Sequence, residues 1–111
     1  MKKMYFTVTG INYRYGTEFL NKGDIVRLVK EPENEYDKEA IKVEMEGLGQ
    51  IGYVANSWRT VIGESFSAGR LYDKIPEVTY GTILHVLKND AIGMIETEYT
   101  LDQEINYEFG E

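Results

Sequence analysis

Residues 29–57 read VKEPENEYDKEAIKVEMEGLGQIGYVANS, and this is the most informative stretch of the chain. It reads as one unit, in which a strand ends at Lys30, a second strand covers Ala40–Met45 and a third covers Gln50–Val54. The second strand alternates apolar and charged residues, which is typical of a strand buried on one face. The loop before it carries an aromatic ring, a carboxylate and an amide. Because binding residues concentrate on loops that a rigid sheet holds, this loop is the first candidate for a functional site.

The flanking sequence adds strand patterns on both sides of this unit. They cover Tyr5–Ile11, Asp24–Lys30, Val78–Leu87 and Ile92–Leu101, the last two joined by a predicted hairpin turn over 88–91. From Asn56 the apolar spacing becomes helical, with Asn56 or Ser57 as the cap and an interruption or end expected around Ala68. About six strands with one helix after the fourth predict a mainly β fold, and a small closed barrel because closure removes exposed edges.

Length and composition predict one domain in a reducing environment. The chain has 111 residues, and we expect a barrel domain over 1–101 followed by an acidic tail over 102–111. There is no cysteine, so disulfides and thiolate chemistry are excluded. No apolar run is long enough to span a membrane, and residues 1–12 do not resemble a signal peptide. We therefore expect a cytoplasmic protein that has no membrane partner.

The charge is unevenly distributed along the chain. The net charge of −7 argues against indiscriminate binding to nucleic acid. Residues 1–30 carry six basic and two acidic side chains, whereas residues 81–111 carry one basic and seven acidic side chains. This pattern fits two interpretations, which the sequence leaves open: a charge that only serves solubility, or a small basic face on an acidic body.

No set of residues predicts catalysis. The segment Gly47–Gly52 spells G-x-G-x-x-G, but it runs from strand to strand, so it predicts a hairpin turn and a close backbone approach at Gly52 rather than a dinucleotide site. His85 is the only histidine, and we expect no transition metal and no cofactor. A nuclease with Mg²⁺ held by Glu35, Asp37 and Glu39 is disfavoured because no base or nucleophile accompanies them. We therefore expect a binding module and not an enzyme.

Tyrosine is abundant, with nine in the chain. Tyr13 and Tyr15 flank Arg14 near the end of the first predicted strand, Tyr36 lies in the polar loop, and Tyr53 lies on the third strand of the central unit. Tyrosine rings can stack on bases, and arginine can contact phosphate. The alternative is that these tyrosines are simply half-buried strand formers, and composition alone favours it.

The residues already quoted resemble a HIRAN domain from about Thr7 to Val54, with weaker correspondence to Leu87. The run E-P-x-N-x-Y-D-x-x-A-I-x-V over 31–43, followed by I-G-Y over 51–53, is the most specific part. HIRAN domains are small OB-like β-barrels, fused to helicase-type remodelling proteins in eukaryotes and stand-alone in bacteria and phages. The best-understood members bind single-stranded DNA at the end that carries a free 3′-hydroxyl.

The resemblance implies a pocket for a DNA end. Asp37 would accept a hydrogen bond from the terminal hydroxyl, and Tyr13 and Tyr36 would stack on or flank the last bases. The full set of nucleic-acid-binding candidates is Tyr13, Arg14, Tyr36, Asp37 and Tyr53. The physical chemistry agrees, since a carboxylate repels a phosphate but accepts from a hydroxyl.

Two departures from the family pattern keep a second hypothesis open. End-binding members of the family have an arginine where this chain has Asn12, although this chain has Arg14 two residues later. They also have a basic residue after the I-G-Y element, where this chain has Ala55 and Asn56. The leading hypothesis is a module that binds single-stranded DNA or DNA 3′ ends in repair or replication. The alternative is a protein-interaction barrel with eroded DNA contacts, which docks a protein partner through a Tyr-rich face or an exposed edge strand.

Overall fold

The structure is a computed structural model that describes residues 2–97. Within this range the chain forms six strands, one short 3₁₀ helix at Ile11–Tyr13 and one α-helix, α1, at Ala68–Tyr72. The strands are β1 Lys2–Thr9, β2 Ile25–Lys30, β3 Ile41–Met45, β4 Gly49–Val54, β5 Val78–Val86 and β6 Ala91–Thr97.

The six strands close into one antiparallel barrel in the order β1-β4-β3-β2-β5-β6, with β6 pairing back to β1. The pairing of β1 with β6 is long, whereas β1 meets β4 only at Val8↔Val54 and Thr9↔Tyr53. Closure confirms the predicted mainly β barrel with one helix after the fourth strand. Within residues 2–97 every strand has a neighbour on both sides, so the exposed edge strand of the alternative hypothesis is not found there.

The barrel interior is filled by inward side chains of all six strands. Phe6 is fully buried at its centre, and its ring lies against Gly81 and Gly93 on β5 and β6, where any added Cβ would press on the ring. In β3, Ile41 and Val43 are buried while Lys42 is only partly so, as the alternating pattern predicts. These strands therefore hold the connecting loops on a closely packed scaffold.

The helix begins later than the sequence predicts. The predicted start was Asn56 or Ser57, but α1 starts at Ala68 with Ser67 as its N-cap, whose hydroxyl accepts from the Arg70 N–H. The chain before it is irregular because Gly63 takes a left-handed φ of 59° and Phe66 donates its N–H to the Tyr5 carbonyl at 2.7 Å. Tertiary bonding to β1 thus overrides the helical spacing of the apolar residues.

The remaining boundaries differ from the prediction by a few residues. β1 ends at Thr9 and not at Ile11, because Gly10 has a left-handed φ of 76° and starts the 3₁₀ helix. The predicted last strand is confirmed to Thr97, while residues 98–101 and the predicted tail over 102–111 lie outside the described residues. No helix between residues 2 and 97 has the length and apolar character needed to cross a membrane.

The G-x-G-x-x-G segment forms a hairpin turn, as predicted. Gly47 and Gly49 have left-handed φ angles of 88° and 79° between β3 and β4. A Cβ on Gly52 would lie only 2.5 Å from the carbonyl oxygen of Thr9, so this glycine allows β1 to approach β4. The close backbone approach expected at Gly52 is therefore confirmed.

Candidate nucleic-acid interface

The loop between β2 and β3 is shaped by one asparagine. The Asn34 Oδ1 accepts hydrogen bonds from the backbone N–H groups of Tyr36 at 2.9 Å and Asp37 at 3.0 Å. Asparagine favours turns because its side chain can replace a backbone acceptor in this way. The loop ends where Ala40 donates its N–H to the Asp37 carbonyl and accepts from the N–H of Glu31. Asn34 thereby fixes the backbone positions that carry the ring of Tyr36 and the carboxylate of Asp37.

The carboxylate of Asp37 is held from two sides. Its Oδ1 accepts from the Glu39 N–H at 2.9 Å, and its Oδ2 accepts from Nδ2 of Asn56 at 2.8 Å. The Oδ1 of Asn56 in turn accepts from the N–H of Gly69 in α1 at 2.7 Å. One asparagine just after β4 therefore connects the β2–β3 loop to α1. Each carboxylate oxygen still has acceptor capacity for a ligand.

Tyr53 lies on β4 beside this loop. It pairs with Lys42 of β3 and Thr9 of β1, so its position is fixed by the barrel on both sides. Its hydroxyl donates to Oε1 of Glu31 at 3.0 Å, and the same oxygen accepts from Nδ2 of Asn34 at 3.1 Å. The ring of Tyr53 is thus anchored at its hydroxyl end, which orients one wall of the site.

These groups surround a shallow cavity of about 380 Å³. Tyr36 is 92% exposed at its rim, whereas Asp37 and Tyr53 are half-buried. The structure therefore places three of the five predicted residues around one cavity. Its lining consists of Asn34, Tyr36, Asp37, Ala40, Tyr53, Val54, Asn56, Ser57 and Thr60.

Tyr13 and Arg14 do not line this cavity. They lie on and just after the 3₁₀ helix that follows β1, and Tyr13 is 93% exposed. This segment continues along β4 away from the cavity, because the Tyr15 hydroxyl donates to the Leu48 carbonyl at 3.1 Å in the β3–β4 turn. It adjoins the Tyr53 region through β1, since Thr9 pairs with Tyr53. These two predicted residues flank the cavity and are not part of its wall.

The basic residues near the start of the chain do not gather at the cavity. Arg27 forms an ion pair with Glu44 beside a different depression, lined also by Ile25 and Tyr80. The hydrogen bond between them lowers the pKa of the Glu44 carboxyl and raises the pKa of Arg27. Lys22 precedes β2, and this strand of six residues separates it from the β2–β3 loop by about 20 Å. Neither Arg27 nor Lys22 therefore adds positive charge to the cavity, and no Lys or Arg is among the described residues that line it.

The sequence prediction missed several residues of the site. It treated Asn56 as a lost basic contact, whereas the structure makes it the hydrogen-bond partner of Asp37. It assigned no role to Glu31, which joins Tyr53 to Asn34, or to Ser57 and Thr60. Only their position in the sequence could have indicated Asn56, Ser57 and Thr60, which follow β4. Residues that follow a strand beside a binding loop often help to line the binding site.

A metal centre at this loop gains no support. Within residues 2–97, no group of three or more His, Asp or Glu side chains lies close enough together to hold a metal ion. The nuclease alternative at Glu35, Asp37 and Glu39 therefore has no geometric basis in this part of the chain.

Comparison with known families settles the relationship that the residues suggested. The family model described as "HIRAN domain" matches residues 1–72, which is more than half of the chain. This chain belongs to the HIRAN domain family. HIRAN domains are known generally as DNA-binding domains and are not catalytic by themselves.

Two solved structures are similar to this HIRAN domain. The crystal structure of the HIRAN domain of human HLTF matches with a TM-score of 0.62 and 21% identity, covering 91% of this chain and 81% of that chain. A protein from Lactobacillus plantarum matches with a TM-score of 0.54 and 21% identity, covering 86% of this chain and 98% of that chain. At this identity both matches show the fold alone. No curated protein sequence matches the chain significantly.

Proposed function

We propose that this HIRAN domain binds single-stranded DNA at an end that carries a free 3′-hydroxyl, as a binding module and not as an enzyme. The observation that carries the proposal is the Asp37 carboxylate, held at the cavity by Asn56 and the Glu39 N–H. An ionised carboxylate only accepts hydrogen bonds, so a hydroxyl is attracted and a terminal phosphate is repelled. The site would therefore distinguish between the two kinds of 3′ end.

The aromatic rings around Asp37 supply the affinity in this proposal. Tyr36 presents an almost fully exposed ring at the cavity rim, and Tyr53 forms part of the wall. Stacking of a base on an aromatic ring contributes about 1–3 kcal/mol and tolerates any base. Tyr13 and Arg14 would flank the last bases on the Tyr53 side of the cavity, where β1 meets β4. Binding would accordingly depend on the end of the strand and little on its sequence.

The proposed context is DNA repair or replication in the cytoplasm, with DNA 3′ ends as the partner. The net charge of −7 supports binding through a local site and not through a general attraction for phosphate. We therefore expect a shallow dependence on salt, because Arg14 and few other cations would contact the backbone. A shallow salt dependence would distinguish the domain from basic proteins, which bind DNA non-specifically along its backbone.

Fluorescence anisotropy tests the proposal with matched oligonucleotides that end in a 3′-hydroxyl or a 3′-phosphate. We expect the hydroxyl form to bind at least about tenfold more tightly, a difference of about 1.4 kcal/mol. Tyr36→Ala should weaken both complexes because it removes a stacking ring from a surface position without disturbing the core. Equal affinity for the two ends, or no binding to either, would contradict the proposal.

A protein partner is the second candidate, and the outer barrel face favours it. Directly paired positions on β1, β6, β5 and β2 bring Tyr5, Met94, Thr82 and Ile25 into one row. Tyr80 adjoins this row at a shallow depression that it shares with Ile25 and Met94. Tyr5, Ile25 and Tyr80 are all exposed. Co-purification of a specific protein that Tyr80→Ala releases, with DNA binding unchanged, would assign this face to a partner.

A further inference from the structure

The loop after β4 presents one tryptophan to solvent beside the cavity. Trp58 is 83% exposed, although tryptophan is strongly buried in most folds because of its large apolar area. The loop is well bonded at this point: the Ser57 carbonyl accepts the N–H groups of Thr60 and Val61, each at 2.9 Å. The Ile62 N–H donates to Oγ1 of Thr7 at 3.0 Å, which ties the loop to β1. The exposure of Trp58 therefore belongs to an anchored loop.

Arg59 contacts the indole of Trp58. Its guanidinium carbon lies 5.4 Å from the centre of the Trp58 ring, a cation–π distance. An aromatic ring has two faces, so a cation on one face leaves the other for a planar ligand. The pair thus combines a stacking surface and a positive charge, which are the two groups that sequence-tolerant sites for single strands combine.

The position of this pair links it to the cavity. Asn56, Ser57 and Thr60 line the cavity, and they flank the Trp58–Arg59 pair in the sequence. The segment that carries Tyr13 runs toward the start of β4, since β1 is antiparallel to β4 and the Tyr15 hydroxyl donates to the Leu48 carbonyl. Trp58 follows the other end of β4, beyond Val54. Aromatic residues therefore lie on both sides of the proposed end pocket.

We propose that Trp58 and Arg59 form a second subsite for the bound single strand. In this subsite a base 5′ of the terminal nucleotide stacks on the free indole face, and Arg59 contacts an adjacent phosphate. The inference rests on the proposed function and deepens it: the ligand is a single-stranded segment several nucleotides long, and not a terminal nucleotide alone. The charge of Arg59 complements the phosphate in an otherwise acidic protein.

Trp58 is the only tryptophan of the chain, so its fluorescence reports this contact without a label. The experiment titrates the full chain with a dinucleotide and an octanucleotide, both ending in a 3′-hydroxyl. We expect the octanucleotide to quench Trp58 and the dinucleotide to leave it nearly unchanged. Trp58→Ala should weaken octanucleotide binding at least about fivefold and leave dinucleotide binding unchanged. Trp58→Phe, which keeps a ring, should retain most of the affinity.

Two further variants make the result specific. Arg59→Ala should lower the slope of log affinity against log salt by about one for the octanucleotide only. Tyr80→Ala, which removes an exposed ring on the outer barrel face, should change neither complex. Octanucleotide binding without quenching, equally strong in Trp58→Ala, would overturn the subsite while the 3′-end proposal stands. If neither oligonucleotide binds the parent protein, the end pocket itself is wrong and the subsite falls with it.

Discussion

Asn56 donates a hydrogen bond of 2.8 Å from its side-chain amide to Oδ2 of Asp37, across a sequence separation of 19 residues. The same amide accepts from the N–H of Gly69 through its oxygen. An asparagine is well suited to this position because it offers a donor and an acceptor on one short side chain. Asn56 therefore orients the Asp37 carboxylate from a position fixed by α1.

Loss of this orientation should be measurable. Asn56→Ala should lower the free energy of unfolding by about 1 kcal/mol and weaken binding of a 3′-hydroxyl strand about five- to tenfold, because Asp37 is no longer held. Urea unfolding and anisotropy give the two values. The matched control is Asn89→Ala, which breaks another exposed side-chain hydrogen bond, the one that Asn12 donates to Asn89. It should reduce stability similarly but leave the affinity for a 3′-hydroxyl strand intact; an equal loss of that affinity would contradict the role of Asn56.

The turn at Asn34 gives a second prediction. Asn34→Ala removes the acceptor for the N–H groups of Tyr36 and Asp37, so the loop should open and DNA affinity should fall about tenfold. Asn34→Ser keeps a short hydroxyl acceptor without adding a charge beside Glu31, and it should retain more of the affinity than Asn34→Ala. Hydrogen exchange of the backbone amides of Tyr36 and Asp37 measures directly whether the loop opens. Unchanged protection in Asn34→Ala would show that the loop does not depend on this side chain.

Close packing of β1 on β4 gives a third prediction. Gly52→Ala places a methyl group against the Thr9 carbonyl, and it should lower the free energy of unfolding by about 1–3 kcal/mol because backbone must shift. Gly69→Ala is the control. Its added Cβ meets mainly the flexible end of the Glu39 side chain, and alanine favours the helix, so the change should be much smaller. Equal melting temperatures for the two variants would contradict the account of Gly52.

The ion pair on β2 and β3 predicts a dependence of stability on pH. Arg27 lowers the pKa of Glu44 in the folded protein below the ordinary 4.5, chiefly by a hydrogen bond. A lowered carboxyl pKa contributes stability above the unfolded pKa, and this contribution is lost as the pH falls through the folded value. Glu44→Gln should therefore lose less stability than the parent protein between neutral pH and the acid range. Parallel curves from urea unfolding across this range would rule out a contribution from Glu44.

The sequence predicted the barrel well because its strands alternate and its turns carry glycine. Ile41 and Val43 face inward as their spacing requires, and Gly52 lies where a backbone comes close. The helix start could not be predicted from spacing alone, since a bond from Phe66 to Tyr5 decides where the chain runs. Such contacts join residues far apart in the sequence and leave no local pattern.

The candidate site was predicted only in part, because some of its contacts also join residues that are far apart in the sequence. Tyr36 and Asp37 are adjacent in the chain, so a single loop brings them together. The partnership of Asp37 with Asn56 depends on the pairing of β3 with β4 and on the exit of the chain from β4. Trp58 lies in the segment whose apolar spacing predicted a helix from Asn56, and it is exposed because no helix forms there.

In the proposed site the Asp37 carboxylate selects a hydroxyl end. The most direct measurement is the ratio of affinities for 3′-hydroxyl and 3′-phosphate strands in the parent protein and in Asp37→Asn, with folding verified by thermal unfolding. We predict a ratio of at least about ten in the parent and a ratio near one in the variant, because the amide no longer repels phosphate. A ratio that stays the same in both proteins would contradict the claim.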